Sequence, residues 1–214
     1  MPPPLPLVHA DASFLILDKP AGLLAVPGRG ADKQDCLSAR VQREFPDALI
    51  VHRLDMATSG LMLFARGAEV QRELSRAFAE RHVHKRYVAI VDGCATAPET
   101  DWGVIDLPIA ADWPQRPLRV VDHARGKPSI TRWRVIGIDA AANTSWLELA
   151  PITGRSHQLR VHLRAIGHPI LGDALYGDEQ SRSRADRLLL HASELAFAHP
   201  VTGERCEFTS VVPF

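Results

Sequence analysis

Residues 51–66 read Val-His-Arg-Leu-Asp-Met-Ala-Thr-Ser-Gly-Leu-Met-Leu-Phe-Ala-Arg, and Asp55 is the residue among them best suited to chemistry. A short apolar run, Leu49-Ile50-Val51, ends just before it, and the cationic pair His52 and Arg53 precedes it directly. The turn-prone stretch Ala57-Thr58-Ser59-Gly60 follows. A carboxylate at a strand end, flanked by cations and followed by a glycine turn, is held rigid and kept ionised. A carboxylate nucleophile or base needs both. An aspartate that merely caps a turn has the same surroundings, because short polar residues dominate turns for local reasons. Spacing alone leaves both readings open.

A second cluster lies a hundred residues on. Residues 151–172 read Pro-Ile-Thr-Gly-Arg-Ser-His-Gln-Leu-Arg-Val-His-Leu-Arg-Ala-Ile-Gly-His-Pro-Ile-Leu-Gly. Together the two segments resemble the RluA family of pseudouridine synthases, whose hallmarks have the form HRLD-x-x-TSGL and GR-x-HQLR-x-H. The resemblance continues through Lys85-Arg86-Tyr87-Val88-Ala89 and Leu188-Leu189-Leu190-His191-Ala192, and runs from about Phe14 to the C-terminus. The stretch Asp112-Trp113-Pro114-Gln115-Arg116-Pro117 is most similar to the dual-specificity branch of that family.

The resemblance implies a reaction that breaks the bond between uracil N1 and ribose C1′, rotates the base and rejoins it through C5. No metal or redox step is required. It makes Asp55 the nucleophile, whether the carboxylate attacks C1′, attacks C6 or removes a ribose proton. Each route needs Asp55 ionised in a closed pocket. Burial alone would favour the neutral acid, so a nearby cation must compensate. Arg155, in Gly154-Arg155-Ser156-His157, is the family's candidate, and an Asp55–Arg155 ion pair is expected. Arg155 stands near the start of the helix expected over 156–166, where backbone N–H groups also favour an anion. Tyr87 is implied to stack on the uracil and to assist loss of the C5 proton. Leu190 is implied to form the opposite apolar wall. Arg53 is implied to enter the RNA stack in place of the everted base, since a guanidinium both stacks and meets phosphate. His52 is expected at the substrate-binding loop, orienting it rather than transferring protons. Thr58 and Ser59 are expected to fix the turn.

These residues need elements to hold them. Residues 13–19 read as a strand stopped by Pro20-Ala21-Gly22. Helices are expected over 36–45, with Leu37, Val41 and Phe45 spaced by four, and over 68–80, with Val70, Leu74 and Phe78. A third, over 156–166, carries Leu159, Leu163 and Ile166 and stops at Gly167. Strands are expected at 61–66, 87–91, 103–109, 117–122, 130–138, 145–150 and 188–197, and a hairpin turn at 201–204 leads into 207–209. About nine strands, three or four helices and short β–β connections give an α+β class with a mixed, largely antiparallel sheet. The resemblance implies the same class: a pseudouridine synthase fold in two lobes with a catalytic cleft between them. Residues 1–12, opening Met-Pro-Pro-Pro-Leu-Pro, read as a loose tail. Residues 13–214 read as one catalytic domain with no separate N-terminal RNA-binding domain.

The composition narrows the function classes. Apolar residues make up 46% and charged residues 23% of the 214, which suits a globular domain with a real core. There is neither a signal-peptide start nor an apolar run long enough to span a bilayer, so a cytoplasmic protein is expected. Three widely spaced cysteines, Cys36, Cys94 and Cys206, suggest neither a disulfide framework nor a zinc ribbon. The zero net charge sits awkwardly with RNA, whose phosphates call for a basic footprint. The 25 basic residues comprise 21 Arg and 4 Lys, a skew that suits phosphate contact and stacking and that a GC-rich genome would also produce.

His157, His162, His168, Asp173 and His191 invite a metal reading. His157 and His162, five apart, share a helix face poorly, and no H-E-x-x-H is present. Gly126-Lys127-Pro128 does not open a phosphate loop, and Gly28-x-Gly30 lacks a third glycine. Neither a metal nor a cofactor is expected. The expected partners are stem-loops of ribosomal and transfer RNA, with neither DNA nor a membrane involved, and the expected state is a monomer. The resemblance implies, as the leading expectation, a synthase acting on large-subunit (23S) ribosomal RNA and on the anticodon stem-loop of transfer RNA. Alternatives are a single-substrate synthase and a non-catalytic RNA-binding or ribosome-assembly protein. A carboxylate hydrolase would want a second acid or base at a set separation, and none is identified.

Overall fold

The computed structural model describes residues 5–214. In chain order the elements are β1 (Leu7–Ala10), β2 (Phe14–Lys19), α1 (Leu37–Glu44), β3 (Ala48–Ile50), β4 (Ser59–Arg66), α2 (Ala68–Ala79), β5 (His84–Asp92), β6 (Gly103–Asp106), β7 (Ile109–Ala111), β8 (Arg119–Val121), β9 (Ile130–Asp139), β10 (Thr144–Pro151), α3 (Gln158–Ala165), α4 (Glu179–Ser183), β11 (Leu190–Ala198) and β12 (Arg205–Thr209). The chain divides into two compact units. One runs to Lys85 and includes Ala192–Pro213; the other is Arg86–His191 with Phe214. The α+β expectation is met by extensive, mostly antiparallel pairing and few helices.

The first unit is organised around β4. Its Leu61-Met62-Leu63-Phe64-Ala65 run is buried on both faces, so it is continuously apolar rather than alternating. Leu61, Leu63 and Ala65 pack with Phe14, Ile16, Leu195 and Phe197 and with the Leu74 face of α2. Met62 and Phe64 point the other way, onto Leu15, Leu17 and the Leu37 and Val41 face of α1. The strand order is β1-β2-β4-β11, with β3 also on β4 and β12 on β11. Gly60 begins this strand at φ +112°, and a Cβ there would lie 2.3 Å from the Ala192 carbonyl oxygen. Only glycine allows β4 and β11 to approach this closely.

The expected loose tail is corrected over Leu7–Ala10. This segment is a strand, antiparallel to β2 in the register Leu7↔Leu17 and Ala10↔Leu15. The physical reason is the apolar run of β2, whose open edge needs a partner. Asp11 closes the connection by accepting from Ser13 N–H at 2.6 Å and Phe14 N–H at 2.9 Å. Residues 1–4 of that expectation lie outside the described residues.

In the second unit β5, β10, β9 and β6 pair antiparallel in that order, with Tyr87 opposite Leu149. The strand expected over 103–109 is interrupted. β6 ends at Asp106 and β7 begins at Ile109, because Pro108 has no N–H to continue a ladder. β7 and β8 form a separate hairpin, seated on α3 through Ile109, Val161 and Tyr176 with Leu118, Val121 and Leu175 around them. The third helix starts at Gln158, two residues later than expected, because His157 adopts a left-handed conformation at φ 59°. α4 was not foreseen from the sequence. Asp178 caps it, accepting from Ser181 N–H at 2.7 Å.

Candidate active site

Asp55, Arg53 and His52 share the loop between β3 and β4 in the first unit. The loop is shaped by its backbone. Thr58 N–H donates to the Asp55 carbonyl at 3.1 Å, closing a tight turn on the aspartate. The next carbonyl, of Met56, accepts twice: from Gly22 N–H at 2.9 Å and from Lys19 Nζ at 3.0 Å. Lys19 is fully buried, and its ammonium also donates to the carbonyls of Pro20 (2.9 Å) and Leu23 (2.7 Å). All three donors of the ammonium are thus accounted for. A lysine that ends a strand opening Phe-Leu-Ile-Leu and precedes Pro-Ala-Gly is the signal the sequence offers for this anchor.

His52 Nε2 accepts from Leu63 N–H at 2.9 Å, and its ring stacks on Phe78 with centroids 4.6 Å apart. An accepting Nε2 requires the neutral ring with its proton on Nδ1. Burial, with a smaller contribution from Lys85, pushes the His52 pKa down to about 3. His52 therefore ties the loop to β4. Burial also lowers the pKa of Lys85. Arg53 is exposed, and Leu54 beside it is buried.

The second unit holds Tyr87, Arg155 and Leu190. Tyr87 lies half-buried on β5. Leu190, 3% exposed, opens β11, and the Leu189 carbonyl accepts from Ile90 N–H of β5 at 3.2 Å. The 188–190 segment thus runs beside the strand that carries Tyr87. Arg155 is exposed on the loop between β10 and α3, and its Nε donates to the Pro128 carbonyl at 3.4 Å.

Gln158 organises that loop. Its Oε1 accepts from Arg155 N–H at 3.0 Å and from the Thr153 hydroxyl at 2.7 Å. Its Nε2 donates to the Ile130 carbonyl and the Thr131 hydroxyl, each at 3.0 Å. Thr131 passes its own proton to His162 Nδ1 at 2.9 Å, and His162 Nε2–H donates to the Leu107 carbonyl at 2.9 Å. Burial lowers the His162 pKa, in keeping with this neutral ring. Five residues beyond Arg155, Arg160 makes a buried bidentate pair with Asp173 at 2.8 and 2.5 Å. Two of the side chains that invited a metal reading, His162 and Asp173, thus have structural partners. Among the described residues no three His, Cys, Asp or Glu groups converge as metal ligands.

Between the hairpin and this loop, within the second unit, lies a pocket of about 540 Å³. It is lined by Ile109, Trp113, Arg119, Arg125, Lys127 and Arg155, among others. Sequence reasoning singled out Arg155 and the stretch around Trp113 but not the pocket they share. The cations come from separate segments that only the fold brings together.

Comparison with known proteins places this arrangement in context. A family model described as RNA pseudouridylate synthase matches residues 13–165. The chain is 46% identical over 212 residues to the dual-specificity RNA pseudouridine synthase RluA of Escherichia coli K12, covering 99% of this chain and 95% of that protein. Against the protein of the same name from Yersinia pestis it is 45% identical over 208 residues, covering 97% and 99%. Among solved structures, human RNA pseudouridylate synthase domain containing 1 superposes with a TM-score of 0.79 at 31% identity, over 99% of this chain and 84% of that one.

Proposed function

Because the chain belongs to the RNA pseudouridylate synthase family, an enzyme family that isomerises uridine within RNA, we propose that it makes pseudouridine in two kinds of RNA, with Asp55 as the nucleophile. The substrates are large-subunit ribosomal RNA and the anticodon stem-loop of transfer RNA. Two RNA classes are supported by the relatives named above, which are dual-specificity enzymes matched over nearly their whole length.

The observation that carries the residue assignment is the anchoring of the Asp55 loop. The carbonyl next to Asp55 is held by a buried ammonium and a backbone N–H, and the residue three before it is clamped to β4. A turn that merely connected two strands would not need this. A nucleophile that must meet one carbon of an everted nucleotide does, since misplacement by an ångström can remove a hundredfold of rate.

In the proposed mechanism the uridine leaves the RNA stack, Arg53 fills the gap, and uracil is gripped between Tyr87 and Leu190. With Asp55 as nucleophile the N1–C1′ bond breaks, the base turns, and C5 bonds to C1′ as any bond to the carboxylate is released; the C5 proton leaves with help from the Tyr87 hydroxyl while N1 takes up a proton. Arg155 is the cation that keeps Asp55 ionised. No cofactor enters these steps. The enzyme works as a monomer in the cytoplasm. In support, no helix among the described residues is long and apolar enough to cross a membrane, and Cys36, Cys94 and Cys206 are free thiols.

Tritium release from transcripts labelled at uridine C5 tests the two-substrate reading. Release from both a ribosomal hairpin and an anticodon stem-loop is expected. Release from only one of them would reduce the enzyme to a single substrate, and release from neither would overturn the function.

A further inference from the structure

We propose that the pocket between the β7–β8 hairpin and the β10–α3 loop is a second RNA-contact site. It takes a further nucleotide of the RNA substrate, with the phosphate on Arg119 and Lys127 and the base on Trp113. This rests on the function proposed above.

The pocket is cationic, and part of its charge is uncommitted. Arg125 is paired with Asp122 through Nε at 3.0 Å and the terminal nitrogen at 2.9 Å. Asp122 is kept ionised by the Arg125 N–H, which holds its carboxyl below the usual carboxylate range. Among the described residues no carboxylate pairs with Arg119 or Lys127. Arg119 and Lys127 beside a cavity of about 540 Å³ suit a phosphorylated ligand of nucleotide size.

The mouth of the pocket offers a stacking surface. Trp113 is 68% exposed, and the Arg116 guanidinium lies 3.4 Å from the centre of its ring. An indole this exposed contributes little to the core, which leaves its ring available to a ligand. A tryptophan with a guanidinium on its face is a platform that a nucleobase can extend.

The walls are preorganised. Asp112 N–H donates to the Leu118 carbonyl at 3.1 Å and Leu118 N–H to the Gln115 carbonyl at 3.0 Å, so the hairpin loop is closed by its own backbone. Ile109 and Lys127 exchange N–H···O=C bonds at 3.0 and 2.9 Å. Arg119 N–H donates to the Tyr176 hydroxyl at 2.8 Å, and that hydroxyl meets His157 Nδ1 at 2.6 Å. The hairpin wall and the loop carrying Arg155 are therefore joined through one phenol.

The test measures binding of a labelled anticodon stem-loop and its salt dependence. Trp113→Ala is expected to weaken binding about tenfold, with Trp113→Phe recovering most of the loss. Lys127→Ala is expected to reduce the slope of log affinity against log salt by about one. A stem-loop with an abasic site at the stacked position should make Trp113→Ala silent, which a merely structural role for Trp113 would not. Affinities within twofold of wild type and an unchanged salt slope would overturn the site. So would displacement of the stem-loop from the wild-type protein by micromolar adenosine monophosphate, which would mark a free-nucleotide pocket. Tritium release by the wild type separates the two claims: its loss overturns the function, whereas normal release with unaltered variant affinities overturns only this site.

Discussion

At the scale of single residues, the neutral ring of His52 makes the loop sensitive to acid. Its Nε2 can accept from Leu63 N–H only while unprotonated, and burial lowers its pKa from 6.5 to about 3. In the unfolded chain the ring takes up a proton near its ordinary pKa. Between those values the unfolded state binds more protons, so stability rises with pH across the window. From pH 7 to pH 5 this histidine alone should account for a loss of about 2 kcal/mol. Urea unfolding of the wild type and of His52→Gln, whose amide oxygen can still accept, should show that difference shrinking in the variant. Equal pH dependence would remove the role. Two further substitutions address the proposed chemistry. Arg155→Ala should lower turnover by about 10²–10³-fold, because the Asp55 carboxylate loses the cation proposed to keep it ionised. Tyr87→Phe should keep RNA affinity while lowering kcat by on the order of 10²-fold, since the ring remains and the proton acceptor does not. A Tyr87→Phe enzyme with normal kcat would confine that residue to stacking.

At the scale of elements, β4 joins packing to the site. Its apolar run fills both cores of the first unit, and its first residues continue directly from the Asp55 turn. Gly60→Ala would force a methyl group to within 2.3 Å of a backbone oxygen at a φ of +112°. The expected cost exceeds about 4 kcal/mol, enough to abolish folding at 37 °C in a domain of ordinary stability. Thermal unfolding of the purified variant would check it. Lys19→Met should strand three carbonyls that accept from the ammonium. It should destabilise the protein by about 3 kcal/mol and lower kcat, because the carbonyl beside Asp55 is released. Normal kcat in a folded Lys19→Met protein would show that the anchor does not govern the nucleophile.

At the scale of the whole molecule, zero net charge means that RNA affinity must come from local cation clusters rather than from a general basic field. The helices and most strands were legible because their apolar residues recur at three or four, or run unbroken as in β2 and β4. The cations and glycine turn beside Asp55 single it out in the chain but fit a turn-capping role equally, and only the resemblance makes it the nucleophile. What escaped was set by distant partners. Leu7–Ala10 is a strand because β2 needs an edge partner, although a proline-rich start argues against one. Lys19 anchors a carbonyl 37 residues away, and Arg119 meets Tyr176 across 57 residues. No local pattern announces such contacts. The two-lobed resemblance pointed to the right fold class without indicating that Trp113, Arg119, Lys127 and Arg155 share a pocket.

The most direct test of the account is a single-turnover tritium-release assay on a C5-labelled anticodon stem-loop with wild type and Asp55→Asn, beside an affinity measurement on the same RNA. The account predicts that Asp55→Asn binds the stem-loop within severalfold of wild type and releases tritium at least about 10⁴-fold more slowly. Release by the asparagine variant within tenfold of wild type would contradict it.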